Sequence, residues 1–271
     1  MKSEVVLLVK TSYYYDVVEW LNYYLKLGFD HITIYDNESS VDISKLCKEY
    51  KTIDYYKIYG WPDQQGLYFN HYKHSKYDWV YFADLDEFLW IKPKFKNINE
   101  FIEYESNRLN TDFFGIYWIK LSSNPILMSR PDTPKTTQIL SFNWKEKIEK
   151  NTWLKSFYRT NRPITAIYTH MPYPLLNYKD INNKLYTETI SQKFNYKFKN
   201  EDAIIFHYYH RSWEEFDYKM KKLGCVARKT TNVEEFNECQ FTDPQQYINM
   251  INSTNYCIID NRIKEFLYLT L

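Results

Sequence analysis

The residues best suited to chemistry stand together in WVYFADLDEFLW at 79–90, where a mainly apolar run leads into Asp84, Asp86 and Glu87 and then into Phe88, Leu89 and Trp90. In extended chain, positions i and i+2 share a face, so Asp84 and Asp86 point together while Leu85 points into the core. Two carboxylates about 6 Å apart at an effective dielectric of about 20 repel by about 3 kcal/mol. Something must compensate: a proton, a cationic side chain or a divalent metal. An all-oxygen donor set suits Mg²⁺ or Mn²⁺, which keep waters and take further ligands from substrate phosphates. Such an ion would act as a Lewis acid on a departing diphosphate. With 16 Asp among 271 residues, chance alone yields about one Asp-x-Asp pair, so the spacing gains meaning only from its surroundings. The plain alternative is a solvated turn at a strand end.

The elements that would position these acids read as an alternating series. Val5–Val9 is a short, β-branched-rich, fully buried strand ended by Lys10, Thr11 and Ser12. Asp16 is the expected N-cap of an amphipathic helix running to Leu27, with Gly28 at C′. His31–Tyr35 reads as a strand closed by the turn-forming Asp36–Ser40, Asp42–Tyr50 as a short helix, and Thr52–Ile58 as a third strand. A loop at Trp61–Gly66, a helix at Leu67–Lys76 and a fourth strand at Trp79–Ala83 complete the series. Alternation of this kind predicts βαβ units and a mainly parallel sheet flanked by helices, in which ligands bind beyond the carboxyl ends of the strands. The polar residues at those ends are Lys10 with Thr11, Asp36, and Asp84 with Asp86.

After residue 90 the pattern loosens. Strands are expected at Asp112–Lys120, Lys155–Arg159, Ile164–Tyr168 and Ala203–Tyr209, and helices at Trp213–Leu223 and Ile263–Leu269. No repeat and no Gly/Ser- or Pro-rich linker interrupts the chain, so one continuous domain with a loop-rich second half is expected.

Composition excludes several classes. The net charge of +1 removes the strong electrostatic argument for a nucleic-acid binder. Aromatic residues make up 20% of the chain while Gly and Pro total only 14, which describes a folded globule. Cys47, Cys225, Cys239 and Cys257 have neither zinc-cluster nor disulfide-framework spacing. VVLLV at 5–9 is the longest aliphatic run, far below the roughly 20 residues of a membrane span. A soluble, cytoplasmic protein is expected, with peripheral membrane association left open. The weight of Lys, Asn, Ile and Tyr suggests an AT-rich bacterial or viral genome.

The chain resembles GT-A type glycosyltransferases, particularly family 92-like and family 2-like enzymes, whose hallmark is a strand ending in D-x-D-E-F; DLDEF at 84–88 matches it letter for letter. The opening VKTSYYYDVVEWLNYYLKLGFDHITIYDNES, FGIYWIKLSSN at 114–124, KSFYR at 155–159 and HYYHRSWEEFDYK at 207–219 resemble further blocks, so the likeness covers about residues 1–225. Thr11 and Ser12 stand where Asn-Glu is usual, and Thr160 where Pro is common. The resemblance implies a GT-A (nucleotide-diphospho-sugar transferase) fold with Lys10 and Thr11 on the nucleotide side, and divides the domain into a nucleotide-sugar half at 1–90, an acceptor-side half at 91–225 and a helical extension at 226–271. It makes Asp36 the acid that reads the nucleoside, Asp84 and Asp86 the metal and diphosphate pair, His207 the completing metal ligand, and Lys155 and Arg159 basic residues near the phosphates.

Each assignment has a plainer alternative. Asp36 could cap a turn, His207 could be a core histidine with His170 or His210 in its place, and Lys155 and Arg159 could lie on a solvated strand face. Tyr13, Tyr14 and Tyr15 could stack on a base or simply pack. Gln65, Asn70 and His71 could line the donor side, and Trp61, Trp90 and Trp118 could face a sugar or fill the core.

The activity so implied is Mn²⁺- or Mg²⁺-dependent transfer of a sugar from a UDP-sugar to a hydroxyl of a glycan or glycolipid, with inversion. Inversion requires a general base, for which Asp112, His170 and Asp63 are candidates. One rival is a nucleotidyltransferase, disfavoured because VVLLVKTSYYYD lacks the glycine-rich phosphate loop. Others are a non-catalytic carbohydrate-binding protein that keeps the fold and, third, a nucleic-acid module.

Overall fold

Six of the seven residues of β1 (Ser3–Val9) are buried, as a central parallel strand covered on both faces requires. The computed structural model describes residues 1–60, 62–123, 125–146, 153–168, 171–187, 202–222, 243–253 and 256–269. α1 (Tyr14–Leu27) follows β1 and buries Val17, Trp20, Leu21, Tyr23, Tyr24 and Leu27, ending on Gly28 in the left-handed region at φ 92°. Its amino end is not capped by Asp16, which lies inside the helix and is buried. Asp132, far along the chain, accepts the amide N–H groups of Tyr14 (2.9 Å) and Tyr15 (3.3 Å) instead.

β2 (His31–Asn37), α2 (Ser44–Lys48), β3 (Ile53–Ile58), α3 (Gln64–His74) and β4 (Trp79–Phe82) continue the alternation. Strands β4, β1, β2 and β3 lie side by side, all parallel. Register pairs Val9 with Asp36 and Val6 with Phe82, so the chain leaves these strands on one common edge.

Beyond β4 the sheet turns antiparallel. β5 (Glu87–Ile91) and α4 (Ile98–Leu109), neither of which local patterning revealed, lead into β6 (Phe113–Ser122). After α5 (Gln138–Ser141) and β7 (Trp144–Glu146), β8 (Leu154–Arg159) inserts between β4 and β6, antiparallel to both. β9 (Ala166–Tyr168) and β10 (Met171–Tyr173) form a hairpin, β11 (Lys179–Asp180) pairs with β6, and β12 (Ala203–His207) runs parallel to β6 and antiparallel to β5.

α6 (Trp213–Lys222), α7 (Pro244–Ser253), β13 (Tyr256–Ile259) and α8 (Arg262–Lys264), which runs into a π turn at Glu265–Leu269, complete the described chain. β13 pairs with β7, so the segment expected as a helical extension also contributes a strand to the 11-stranded sheet. This is the α/β architecture expected above: a parallel half, then a mixed half, flanked by helices. Among the described residues no helix is long and apolar enough to cross a membrane.

Gly115 in β6 marks a close approach. The hydroxyl of the buried Tyr178 crosses its face, where an added Cβ would overlap that oxygen and press on the Leu154 methyls. Gly115→Ala should therefore cost about 1–3 kcal/mol by overpacking and lower Tm by several degrees. An unchanged melting curve would contradict this packing.

Candidate active site

The turn Asp84-Leu85-Asp86-Glu87 joins β4 to β5, and its backbone is held at every carbonyl. Asp84 O accepts from the Trp20 indole N–H and from the Glu87 N–H, both at 3.1 Å. Leu85 O accepts from Gln138 Nε2 (3.0 Å), Asp86 O from the Tyr208 N–H (2.7 Å) and Glu87 O from the Tyr24 hydroxyl (3.1 Å). Each such bond contributes about 0.5–1.5 kcal/mol net, and together they leave the turn one conformation in which to present its carboxylates.

The compensation demanded by paired acids comes from Lys155. Its Nζ, on a side chain only 1% exposed, lies 2.7 Å from Asp84 Oδ2 and 2.8 Å from Glu87 Oε2. Glu87 Oε2 also accepts the Asp84 N–H at 3.1 Å. Burial works to depress the Lys155 amine, but the carboxylates of Asp84 and Glu87 overrule it and hold the amine above its ordinary range. Burial pushes the Glu87 carboxyl up while Lys155 opposes that shift. Lys155 thus does not lie on a solvated strand face, the plainer alternative; it is the buried counter-ion of the acidic turn.

Asp86 faces a different set. Its Oδ1 is 3.5 Å from His207 Nε2 and its Oδ2 is 3.9 Å from an Arg211 guanidinium nitrogen. Antiparallel pairing of β12 with β5 sets His207 opposite Glu87, which brings residues 120 apart in sequence to one point. The His207 ring stands edge-on to Trp118 (4.5 Å) and to Tyr209 (5.1 Å).

The other strand ends are laced together on the same edge. Asp36 accepts the Ser39 N–H at Oδ1 (2.9 Å) and the Tyr55 hydroxyl at Oδ2 (2.7 Å), and it is buried. Thr11 donates its N–H to Ser39 Oγ (3.1 Å), and Lys10 reaches to 4.0 Å from Glu38. Asp63 stands exposed at the N-cap position of α3, on this edge too.

Two candidates are excluded by position. Register sets Arg159 opposite Trp79, at the entry end of β4, and its 48%-exposed guanidinium pairs with Asp112 (3.0 Å), which Arg162 also binds (2.7 Å). Partial burial would raise the Asp112 carboxyl, but the two arginines outweigh it and hold the group below its usual range, the reverse of what a general base needs. Arg159 and Asp112 therefore belong to the far end of the sheet.

His71 is engaged by Glu4 (3.0 Å) and Tyr35 (2.9 Å), Tyr13 lies under Arg130, Trp90 lies under Arg262, and Asn70 and Gln65 are exposed on α3. His170 and Trp61 lie outside the described residues.

Sequence reasoning missed Arg211 and the buried ions behind it. Arg130 forks onto Asp16 (2.8 and 2.6 Å) and onto Glu215 (3.1 and 2.7 Å), and Arg211 pairs with Glu215 at 3.2 Å. The one legible signal was the Arg211–Glu215 spacing of i,i+4 at the start of α6.

Lys155→Met should lower stability by about 3–5 kcal/mol near neutral pH, because Glu87 and Asp84 lose their counter-ion. Carboxyl pKa values in the variant would lie above their unfolded values, so the native state binds the extra protons and the deficit grows as pH rises through that interval. Urea denaturation of both proteins at pH 5 and pH 8 checks this; an equal deficit at both would contradict the pairing.

The sequence profile of glycosyltransferase family 92 matches residues 8–240. Solved structures overlap the chain in part. HddC from Yersinia pseudotuberculosis shares 10% identity with a TM-score of 0.34 over 59% of this chain and 77% of its own. 4-Diphosphocytidyl-2C-methyl-D-erythritol synthase from Anaerococcus prevotii shares 13% with a TM-score of 0.31 over 58% and 71%. A mycobacterial protein shares 13% with a TM-score of 0.30 over 44% of this chain, which spans only 41% of that protein's length. Comparison with curated proteins finds no match. With the profile running from the end of β1 past α6, across the acidic turn, Lys155 and His207, the chain belongs to glycosyltransferase family 92.

Proposed function

We propose that this glycosyltransferase moves a sugar from a UDP-sugar to a hydroxyl of a glycan or glycolipid, with inversion, and that Mn²⁺ or Mg²⁺ serves at Asp86 and His207. The observation that carries the reading is the rigid acidic turn at the carboxyl edge of the parallel strands, with one carboxylate neutralised from below by Lys155 and the other facing His207.

Among the described residues no three His, Cys, Asp or Glu side chains gather around a metal position. Two neighbouring ligands on an ion about 2.1 Å from each stand about 3.0–3.4 Å apart, close to the 3.5 Å between Asp86 Oδ1 and His207 Nε2. A carboxylate and an imidazole suit Mn²⁺, and ions of this class complete their shell with water and substrate phosphate. Asp84, its Oδ2 held by Lys155, fits a supporting role better than direct ligation.

When bound, the ion would neutralise charge on the departing diphosphate. Asp86 and His207 orient it, Lys155 keeps the turn from flying apart, and Asp36 with Thr11 shapes the nucleoside side. Asp63, exposed on the same edge, is the candidate base to accept the acceptor's proton.

A nucleotidyltransferase reading needs backbone amides at the β1–α1 turn to cradle phosphate. Here the amides of Thr11, Tyr13, Tyr14 and Tyr15 are already taken by Ser39, Thr11 Oγ1 and Asp132.

Asp86→Asn should reduce metal-dependent donor hydrolysis by about 100-fold or more, since several kcal/mol of charge stabilisation is lost, with Tm within a few degrees of the parent. Equal hydrolysis by the variant would remove the metal role. His207→Ala should raise the Mn²⁺ concentration needed for half-maximal activity by about tenfold or more; an unchanged titration would return His207 to a packing role.

A further inference from the structure

Among the described residues many cations are present, yet few stand where a diphosphate on this edge could meet them; Lys120, opposite His207 in register, lies over the Tyr209 ring at 4.4 Å. Lys155 is buried between two carboxylates, Arg159 lies at the far end of the strands, and Arg130 has both edges of its fork filled by Asp16 and Glu215. Lys10, half-buried, lies 4.0 Å from Glu38. Arg211 differs from all of these. One guanidinium nitrogen is anchored 3.2 Å from Glu215 Oε1, while another lies 3.9 Å from Asp86 Oδ2, beyond hydrogen-bond distance, on a side chain 18% exposed.

We propose that Arg211 receives the donor's diphosphate and stabilises the charge that builds on it as the sugar leaves. The assignment rests on the glycosyltransfer reading above and adds to it the residue that meets the leaving group.

The anchoring explains why an arginine suits this position. Glu215 is itself held by two bonds from Arg130 and by the Ser212 hydroxyl (2.7 Å), and Arg130 is held by two from Asp16. Asp16, Arg130, Glu215, Arg211 and Asp86 thus form a chain of alternating charge that starts in α1 and ends at the acidic turn. Arg211 is oriented before any ligand arrives, and its planar fork lets one edge stay on Glu215 while the other meets a phosphate. A lysine offers a single ammonium and cannot span both.

In the transfer step the bond between the anomeric carbon and the phosphate oxygen breaks, and its electron pair stays on that oxygen. The anomeric carbon bonds to the acceptor oxygen, whose proton passes to the base. The nucleoside diphosphate therefore departs with one more negative charge than it carried as the sugar ester, and Arg211 meets that charge within a protein-lined site.

The test measures binding of a panel of nucleoside diphosphates (UDP, CDP, GDP, ADP) and the matching nucleosides, with Mn²⁺ present, to the parent, Arg211→Ala and Arg211→Lys, alongside kcat and KM for donor hydrolysis. The expected result is diphosphate affinity weaker by about 10–100-fold in Arg211→Ala, with nucleoside affinity unchanged, since a charge-assisted hydrogen bond is lost. Arg211→Lys should recover part of the binding but little of kcat. If the parent binds diphosphate and both variants bind it within twofold, the assignment to Arg211 falls while the glycosyltransfer reading stands. If the parent binds none of the panel, both fall. Should Arg211→Ala fail to fold, Arg211→Lys alone decides by the same affinity and kcat criteria.

Discussion

A single ammonium buried between two carboxylates sets the terms for this protein's chemistry. Asp84 and Glu87 leave β4 and enter β5 three residues apart, and without Lys155 their mutual repulsion, with Glu87 fully buried, would oppose the tight turn that presents Asp86. The lysine arrives from β8, the strand that inserts antiparallel beside β4. The switch of the sheet from parallel to antiparallel is thus what carries the compensating charge to the acids.

A second set of charges approaches the turn from the other side. α1 contributes Asp16, the segment before α5 contributes Arg130, and the start of α6 contributes Glu215 and Arg211. Where Lys155 is sealed, this chain ends partly open to solvent beside Asp86. The two carboxylates of Asp-x-Asp therefore have unlike surroundings: Asp84 is pinned from the sheet interior, while Asp86 faces His207 and Arg211.

Much of the local order was legible because it follows from periodicity. β1, α1, β2, α2, β3, α3 and β4 lie within a few residues of where hydrophobic spacing sets them, and their alternation implies the common edge on which Lys10, Thr11, Asp36 and the acidic turn meet. Misreadings came where a partner distant in sequence decides. Asp16 has the right type and place for an N-cap, but Arg130 draws it into the interior and Asp132 caps the helix in its stead. β5 is only five residues long and begins inside the acidic motif, so its period was hidden by the charges. Arg159 was placed near phosphate by the resemblance of KSFYR at 155–159. Four positions along a strand span about 13 Å, and they carry it to the opposite end of the sheet.

By itself the sequence determined which residue types were present to do chemistry and that Asp84, Asp86 and Glu87 would emerge from the end of a buried strand, because apolar runs and their turns are local properties of the chain. It also determined that those acids required a counter-charge. Which charge answers them was decided by the tertiary structure alone: Lys155, His207 and Arg211 lie 71, 121 and 125 residues beyond the nearer acid, and only strand order and register bring them there. Electrostatic pairing acts over a few ångströms of space and is blind to separation along the chain, so no reading of spacing could have chosen among 35 basic side chains.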